Sequence, residues 1–252
     1  MRIDFHSHIL PAMDDGAESV TESLELLNML KKDGVGKVIA TPHFYPHREN
    51  IDSFLKRREL CYKTLTNAVK GKDLPEIVLG AEVYFTQGIE NAPPKDLRIA
   101  DTDFLLLELP YTLLTPEIIQ SVKDFIRDNA DIKMIFAHIE RYFDYSPADR
   151  INKVLSFGLI AQGNCDSTRF PGTRRHFINL IKNGVIQLLG TDLHSLRHRP
   201  PRFGNAESYI RNQLSDDIFE GMMTAAQSVL ENKSADTIKA DFKNITEKYR
   251  FN

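Results

Sequence analysis

The sequence predicts an α/β fold in which parallel strands close into a barrel, and two observations predict it. Short runs of Ile, Val, Leu and Phe recur at intervals of about 25 to 40 residues, and each is followed by a polar turn and a longer segment with helical spacing. The runs are apolar throughout, as strands are when both faces are covered by right-handed crossover helices.

Taken in order, the candidate strands are Arg2–Phe5, Lys37–Thr41, Glu76–Ala81, Asp103–Leu107, Lys133–Ala137, Leu159–Gln162 and Val185–Leu189. The first helix follows strand one. Ser19 and Glu22 fit a capping box, Val20, Leu24, Leu27 and Leu30 fall on one stripe, and Gly34 can close the end. Similar helical segments lie near Asp52–Val69, Pro116–Asn129, Ala148–Phe157, Arg174–Lys182 and Asp216–Glu231. The polar tail Ser234–Asn252 reads as a last helix packed on the outside.

A chain of 252 residues with 42% hydrophobic content can bury one large core, and no linker-like stretch divides it, so one domain over residues 1–252 is expected. A formal charge of −3 with interspersed signs provides no broad basic surface for nucleic acid or anionic membrane. The start, MRIDFHSHIL, lacks a signal-peptide pattern, and no apolar run approaches the roughly 20 residues that span a bilayer. A cytoplasmic location without membrane insertion is expected. Cys61 and Cys165 are too few and too far apart for a disulfide framework or a thiolate zinc cage, and read as reduced thiols.

The rare residues cluster at strand ends. His6 and His8 follow the first strand, His43 the second; Glu82 ends the third and Glu108 the fourth; His138 caps the fifth, and Asp192 and His194 follow the last. In a parallel barrel these positions share the rim where such folds build active sites. Alternate residues of an extended segment face the same way, so His6 and His8 can grip one ion. Each piece alone has an ordinary explanation as a cap, a turn or a solvated strand end, and Asp14-Asp15-Gly16 is by default a turn before a helix. Together they are different: crowded carboxylates and imidazoles need positive charge at their centre, and several divalent cations are the simplest source. A His and carboxylate set without thiolates suits manganese, iron or zinc.

At these residues the chain resembles the polymerase-and-histidinol-phosphatase (PHP) superfamily, with its N-terminal His-x-His, later His and Glu motifs and terminal Asp-x-His. Asp15, Gly80-Ala81-Glu82, Glu108, Ala137-His138-Ile139-Glu140-Arg141 and Arg199-Pro200-Pro201 look like the bacterial tyrosine-protein phosphatases of the CpsB/YwqE type. Phe44–Asn50 and Leu196–His198 depart from the pattern of the best-known members. The resemblance implies a distorted seven-unit, TIM-like β/α barrel (the PHP fold) and three divalent metal ions, usually manganese. It also implies a substrate, the phosphotyrosine tail of a bacterial tyrosine kinase controlling capsule or exopolysaccharide export. Carried over by position, one ion is held by His6, His8, Glu82 and Asp192, a second by Glu82, Glu108 and His138, and a third by Asp15, His43 and His194, with Glu82 bridging the first two.

Cations of this kind activate water and stabilise both oxygens of an in-line displacement, so no side-chain nucleophile is required. Arg141 and Arg199 follow ligand motifs and can clamp phosphate oxygens, while Asp192 or His194 can share the proton-donor role. The cysteine phosphatase signature Cys-x5-Arg is absent, because Pro171 stands six positions after Cys165. A glycine-rich phosphate cradle is missing too, since Gly34-Val35-Gly36 precedes a strand. His47, His176 and His198 are expected outside the site, and Tyr142, Phe143 and Tyr145 are expected in loop packing more than against a substrate ring. Two alternatives remain: a small-molecule phosphatase acting on an ester such as histidinol phosphate, and an inactive metal-binding regulatory module.

Overall fold

A computed structural model describes residues 1–86, 89 and 94–251. The chain runs β1 (Arg2–Ser7), α1 (Val20–Lys32), β2 (Val35–Ala40), β3 (His43–Phe44), α2 (Ile51–Val69), β4 (Glu76–Leu79) and β5 (Glu82–Tyr84). It continues through β6 (Phe104–Glu108), α3 (Pro116–Asp128), β7 (Lys133–Phe136), α4 (Ala148–Leu155), β8 (Ile160–Asn164), α5 (Pro171–Lys182) and β9 (Leu188–Gly190). Three helices close it: α6 (Phe203–Gln213), α7 (Asp216–Leu230) and α8 (Ala235–Phe251).

The strands form a curled, parallel arrangement in a mixed α/β fold. One sheet has the order β1-β2-β4, the other β3-β5-β6-β7-β8-β9, and every pairing is parallel. The two sheets meet where the expected second and third strands are interrupted. Pro42 has no N–H to donate, so β2 stops at Ala40 and pairing resumes at His43. Beside it, Gly80 N donates to Ala40 O at 2.8 Å and Glu82 N to Pro42 O at 3.0 Å, which carries the ladder across the break. At the other side of β1, Asp192 N donates to His6 O at 2.8 Å and His8 N to Leu193 O at 2.9 Å.

Ile3, Phe5, Ile39, Phe104, Leu106, Ile135, Ile160 and Leu188 point inward from the strands into one apolar cluster. The outward residues of the same strands pack with the helices into a second, larger cluster. Burying these side chains is the main source of stability, at about 25 cal/mol per Å² of apolar surface. The strands are thereby held rigid, and their C-terminal ends become fixed points for polar side chains.

Several elements differ from the sequence reading for identifiable reasons. In α1 the Ser19 hydroxyl accepts from Glu22 N at 3.2 Å, as expected. The Glu22 carboxylate does not return to Ser19, accepting instead from Glu18 N at 2.9 Å and Leu196 N at 3.1 Å. The buried face of α1 is Ser23, Leu26, Leu27 and Leu30, with Leu24 only partly covered. α5 starts at Pro171, not Arg174, because proline fits the first helical turn. β9 starts at Leu188 after an irregular stretch in which the Gln187 side chain accepts from Ala161 N at 2.9 Å. α6 was not anticipated. α8 occupies the expected tail and buries Ile238 and Phe242. Among the described residues no helix is long and apolar enough to cross a membrane.

Candidate metal centre

His6, His8, His43, Glu82, Glu108, His138, Asp192 and His194 lie together at the C-terminal ends of the strands, with Asp15 reaching in from the turn after β1. All but Asp15 and His43 are buried. Their donor atoms fall into four overlapping groups in which every atom lies within 4.8 Å of the others: His8, Asp15, His43 and His194; His6, His8 and Asp192; His6, Glu82 and His138; His43, Glu82 and Glu108. The backbone is bent to serve this. His138 and Asp192 sit at φ 30° and 50°, a left-handed conformation that non-glycine residues adopt mainly where the surroundings force it. Gly190 admits the close approach of β1, since a Cβ there would stand 2.5 Å from His6 Cβ.

The outer atoms of the imidazoles are tied so that the inner ones face the centre. Gln162 Oε1 accepts from His138 N at 2.9 Å and faces His6 Nδ1 at 3.2 Å, while its Nε2 donates to Gly163 O and Asn164 Oδ1 at 2.7 and 2.8 Å. Asp14 Oδ2 faces His8 Nδ1 at 2.7 Å. An amide or carboxylate oxygen only accepts, so both Nδ1 atoms carry hydrogen and both Nε2 lone pairs turn inward. Those two nitrogens are 3.2 Å apart, facing Glu82 Oε2 at 3.2 and 3.3 Å and Asp192 Oδ1 at 3.6 and 3.3 Å. His194 Nδ1 donates to Asp192 O at 2.9 Å, leaving its Nε2 toward Asp15 Oδ1 at 3.5 Å.

Electrostatics tests whether divalent cations fit. Glu82 Oε2 is buried and takes no hydrogen bond, although His6, His8 and His43 nitrogens surround it at 3.2, 3.3 and 3.0 Å. His43 Nδ1 is likewise buried without a hydrogen bond. These atoms point at a shared centre and miss one another, the geometry of ligands around an ion. Burial is the largest influence on His6 and His43 and opposes their charge, but the carboxylates around them, Glu82 and Asp192 for His6 and Glu82 and Glu108 for His43, together raise both. Burial also opposes ionisation of Glu82 and Asp192, yet the His6 imidazole and its neighbours hold both well below the usual carboxylate range. Glu108 is different: burial first, and the Glu82 charge second, push its carboxyl up to about 8. The pocket demands positive charge, and the donor set is one that manganese, iron or zinc accepts.

The model of the family for capsular polysaccharide synthesis, CpsB/CapC, matches residues 2–231. The chain belongs to that family. The tyrosine-protein phosphatase CpsB of Streptococcus pneumoniae is 27% identical over 225 residues, 82% of this chain and 89% of that protein. The tyrosine-protein phosphatase YwqE of Bacillus subtilis (strain 168) is 25% identical over 245 residues, 92% of each. Among solved structures, one described under YwqE from Bacillus subtilis and CpsB from Streptococcus pneumoniae, unique metal-dependent tyrosine phosphatases, matches with a TM-score of 0.76 at 21% identity, covering 92% of this chain and 95% of that one. Histidinol phosphate phosphatase from Lactococcus lactis, complexed with zinc, L-histidinol and phosphate, matches with a TM-score of 0.52 at 16% identity, covering 84% and 93%.

Around the candidate ligands this CpsB/CapC chain carries residues that the sequence did not single out. Asp4 accepts from Thr191 N at 2.7 Å and Thr191 Oγ1 at 2.6 Å, which anchors the turn bearing Asp192. Asn164 Nδ2 donates to Asp192 Oδ2 at 2.7 Å. Tyr111 stacks on Tyr142, its hydroxyl 3.2 Å from His138 Nδ1, and Arg141 Nη1 donates to that hydroxyl at 3.1 Å. The only sequence signal for these residues is polar side chains in otherwise apolar strands, as in Asp4 and Gln162.

The other expectations are placed as follows. Arg141 and Arg199 both reach the cluster through Asp192. Tyr142 is wholly buried behind the His138 ring, its hydroxyl bonded to the Leu109 backbone, and Phe143 packs on His176, so neither is open to a substrate. His47 lies beside Tyr45 and Tyr84, and His198 is exposed. Cys61 and Cys165 are free thiols; Cys165 is fully buried, and burial raises its thiol well above the ordinary value.

Proposed function

We propose that this chain is a metal-dependent phosphotyrosine phosphatase that removes phosphate from the tail of a bacterial tyrosine kinase controlling capsule or exopolysaccharide production. The observation that carries the reading is the inward convergence of five imidazoles and four carboxylates, with the outer nitrogens of His6, His8 and His194 tied by hydrogen bonds. The tyrosine-protein phosphatase names of its relatives supply the substrate class. The enzyme works as one cytoplasmic domain, residues 1–252. Its scaffold is a distorted seven-unit barrel, with β2 and β3, and β4 and β5, counted as single interrupted strands. The hydrogen bonds from Asp192 and His8 to the neighbouring strand support closure of the ring.

Three cations, manganese in preference to iron or zinc, are assigned to the ligand sets His6, His8, Glu82 and Asp192; Glu82, Glu108 and His138; and Asp15, His43 and His194. The donor atoms support the third set with His8 added and the first through His6, His8 and Asp192, while the second divides between His6, Glu82 and His138 and His43, Glu82 and Glu108. When bound, such cations offset charge on the transferred phosphoryl group and supply a nucleophile from water near neutral pH.

The chain's own side chains do the rest. Arg141 and Arg199 have partly exposed guanidinium groups tethered to Asp192, poised to donate to phosphate oxygens. Tyr111 holds Arg141 in that direction. Burial opposes it, but His6 and the two arginines keep Asp192 ionised, which suits a ligand better than a proton donor. Burial and the nearby His8 lower His194, leaving it neutral with Nδ1–H committed to Asp192 O. A phenolate leaving group needs little protonation, so the site can work without a strong general acid.

The test is hydrolysis of a phosphotyrosine peptide, para-nitrophenyl phosphate and histidinol phosphate, each with manganese and with chelator. The reading expects metal-dependent turnover with the peptide preferred. Faster turnover of histidinol phosphate than of the peptide would overturn the substrate, and no hydrolysis of any ester with any divalent metal would leave a binding module.

A further inference from the structure

We infer that Asp14 is the positioning residue for one cation position, the one bordered by Asp15, His43 and His194, and that its removal weakens that position most. The inference rests on the metal-dependent reading above. Asp14 stands next to a proposed ligand in sequence, but its own carboxylate is turned away from the centre and tied to three neighbours.

Its Oδ2 accepts from His8 Nδ1 at 2.7 Å and from His43 N at 2.9 Å, and its Oδ1 accepts from Gly16 N at 3.0 Å. Each bond fixes something different. The first sets the His8 tautomer, so that Nε2 faces inward. The second pins the start of β3 and with it the His43 ring, whose Nε2 is 3.6 Å from Asp15 Oδ1. The third closes the turn that carries Asp15.

Asp15 needs this help, because its side chain is 70% exposed while that of Asp14 is 8% exposed. The turn also packs flush on the strand: a Cβ on Gly16 would lie 2.1 Å from His8 O and 2.5 Å from His8 Cβ. An aspartate that merely shaped a turn would need only the Gly16 bond. Bonds from one oxygen to two imidazole-bearing residues, one just past β1 and one at the start of β3, serve ligand orientation.

The remaining positions are oriented from elsewhere. Gln162 holds His6 and the His138 backbone, and Asn164 holds Asp192. His8 also borders the His6 and Asp192 group, but those two residues are held without Asp14. His8 is shared with the first position, so the loss is expected to be greatest at the Asp15, His43 and His194 position, smaller at the one His8 shares, and absent at the position of Glu82, Glu108 and His138.

The test is manganese binding to chelator-stripped protein, by titration calorimetry and elemental analysis after dialysis, for wild type, Asp14→Ala and Asp14→Asn. Melting of each protein in chelator checks that it is folded. Wild type is expected to retain three ions and Asp14→Ala two, with the third weakened about 10- to 100-fold. Asp14→Asn keeps an acceptor for His8 Nδ1 and is expected to fall between them. Unchanged binding of three ions in Asp14→Ala, or equal weakening of all three, would overturn the positioning role. A wild type that takes up no manganese would overturn the metal-dependent reading itself.

Discussion

Arg141 Nη2 donates to Asp192 Oδ2 at 2.7 Å, and Arg199 Nη1 reaches the same oxygen at 3.0 Å. One buried carboxylate oxygen thus holds two partly exposed guanidinium groups at the mouth of the cluster. Because they share an acceptor, their effects on turnover should be coupled. Arg141→Ala and Arg199→Ala are each expected to lower kcat/KM on a phosphotyrosine peptide about 10²-fold. The double variant should lose less than the product of the two, with a coupling of about 0.5–3 kcal/mol. Strictly multiplicative losses would mean that the arginines act independently, and unchanged kinetics would remove them from the site.

Metal removal should cost stability as well as turnover. His6 and Glu82 lie in β1 and β5, and His138 and Asp192 just after β7 and β9, so an ion among them ties together elements that otherwise meet through the ladder. A ligand that binds only the folded state stabilises it by about 2.7 kcal/mol at 100 times its Kd. Chelation is therefore expected to abolish hydrolysis and lower the melting temperature, with manganese restoring both. A melting temperature indifferent to chelator and manganese would contradict the shared-centre geometry.

Cys165 follows β8 closely enough to invite a thiolate mechanism, but it is fully buried and its thiol is raised by burial. A nucleophilic cysteine needs the opposite, a depressed value and access to substrate. Cys165→Ala should leave kcat on para-nitrophenyl phosphate unchanged in manganese. Loss of turnover in a variant that still melts cooperatively would reopen covalent catalysis.

What was legible in the sequence follows from range. Strand ends could be read because an apolar run stopping at His, Glu or Asp is a local signal, and it pointed to Glu82, Glu108 and His138. Ser19 before α1 is a local cap of the same kind. α6 escaped because Arg202, at its start, makes no side-chain cap and its buried face includes Glu207, which pairs with Arg2 from the other end of the chain. The roles of Asp14, Gln162 and Asn164 could not be read for the same reason, although Gln162 stands out as a polar side chain in an apolar strand. Each acts through a residue on another strand, and only the curled sheet brings them within reach.

The titrations of the cluster set a pH dependence for the chelated protein. Burial, then Glu82, raises Glu108 to about 8, above the roughly 4.3 of an unfolded glutamate. The folded chain therefore holds a proton that the unfolded chain has released, and stability falls as pH rises through that interval. His6, His8 and His43 are raised above 6.5 despite burial, by Glu82 and Asp192, by Asp14, and by Glu82 respectively. Their stabilisation is complete below 6.5 and is lost as pH rises through their folded values. His138, lowered to about 4 chiefly by burial, and His194, lowered likewise, act in the opposite sense, but only below 6.5. Glu82 and Asp192 matter only in acid. Between pH 6.5 and 8 every remaining contribution has the same sign, so the urea midpoint in chelator should fall across that window, and less steeply in Glu108→Gln. Excess manganese should reverse the slope, because metal and protons compete for the same atoms. A midpoint in chelator that rises from pH 6.5 to 8 would show that the cluster does not hold these protons.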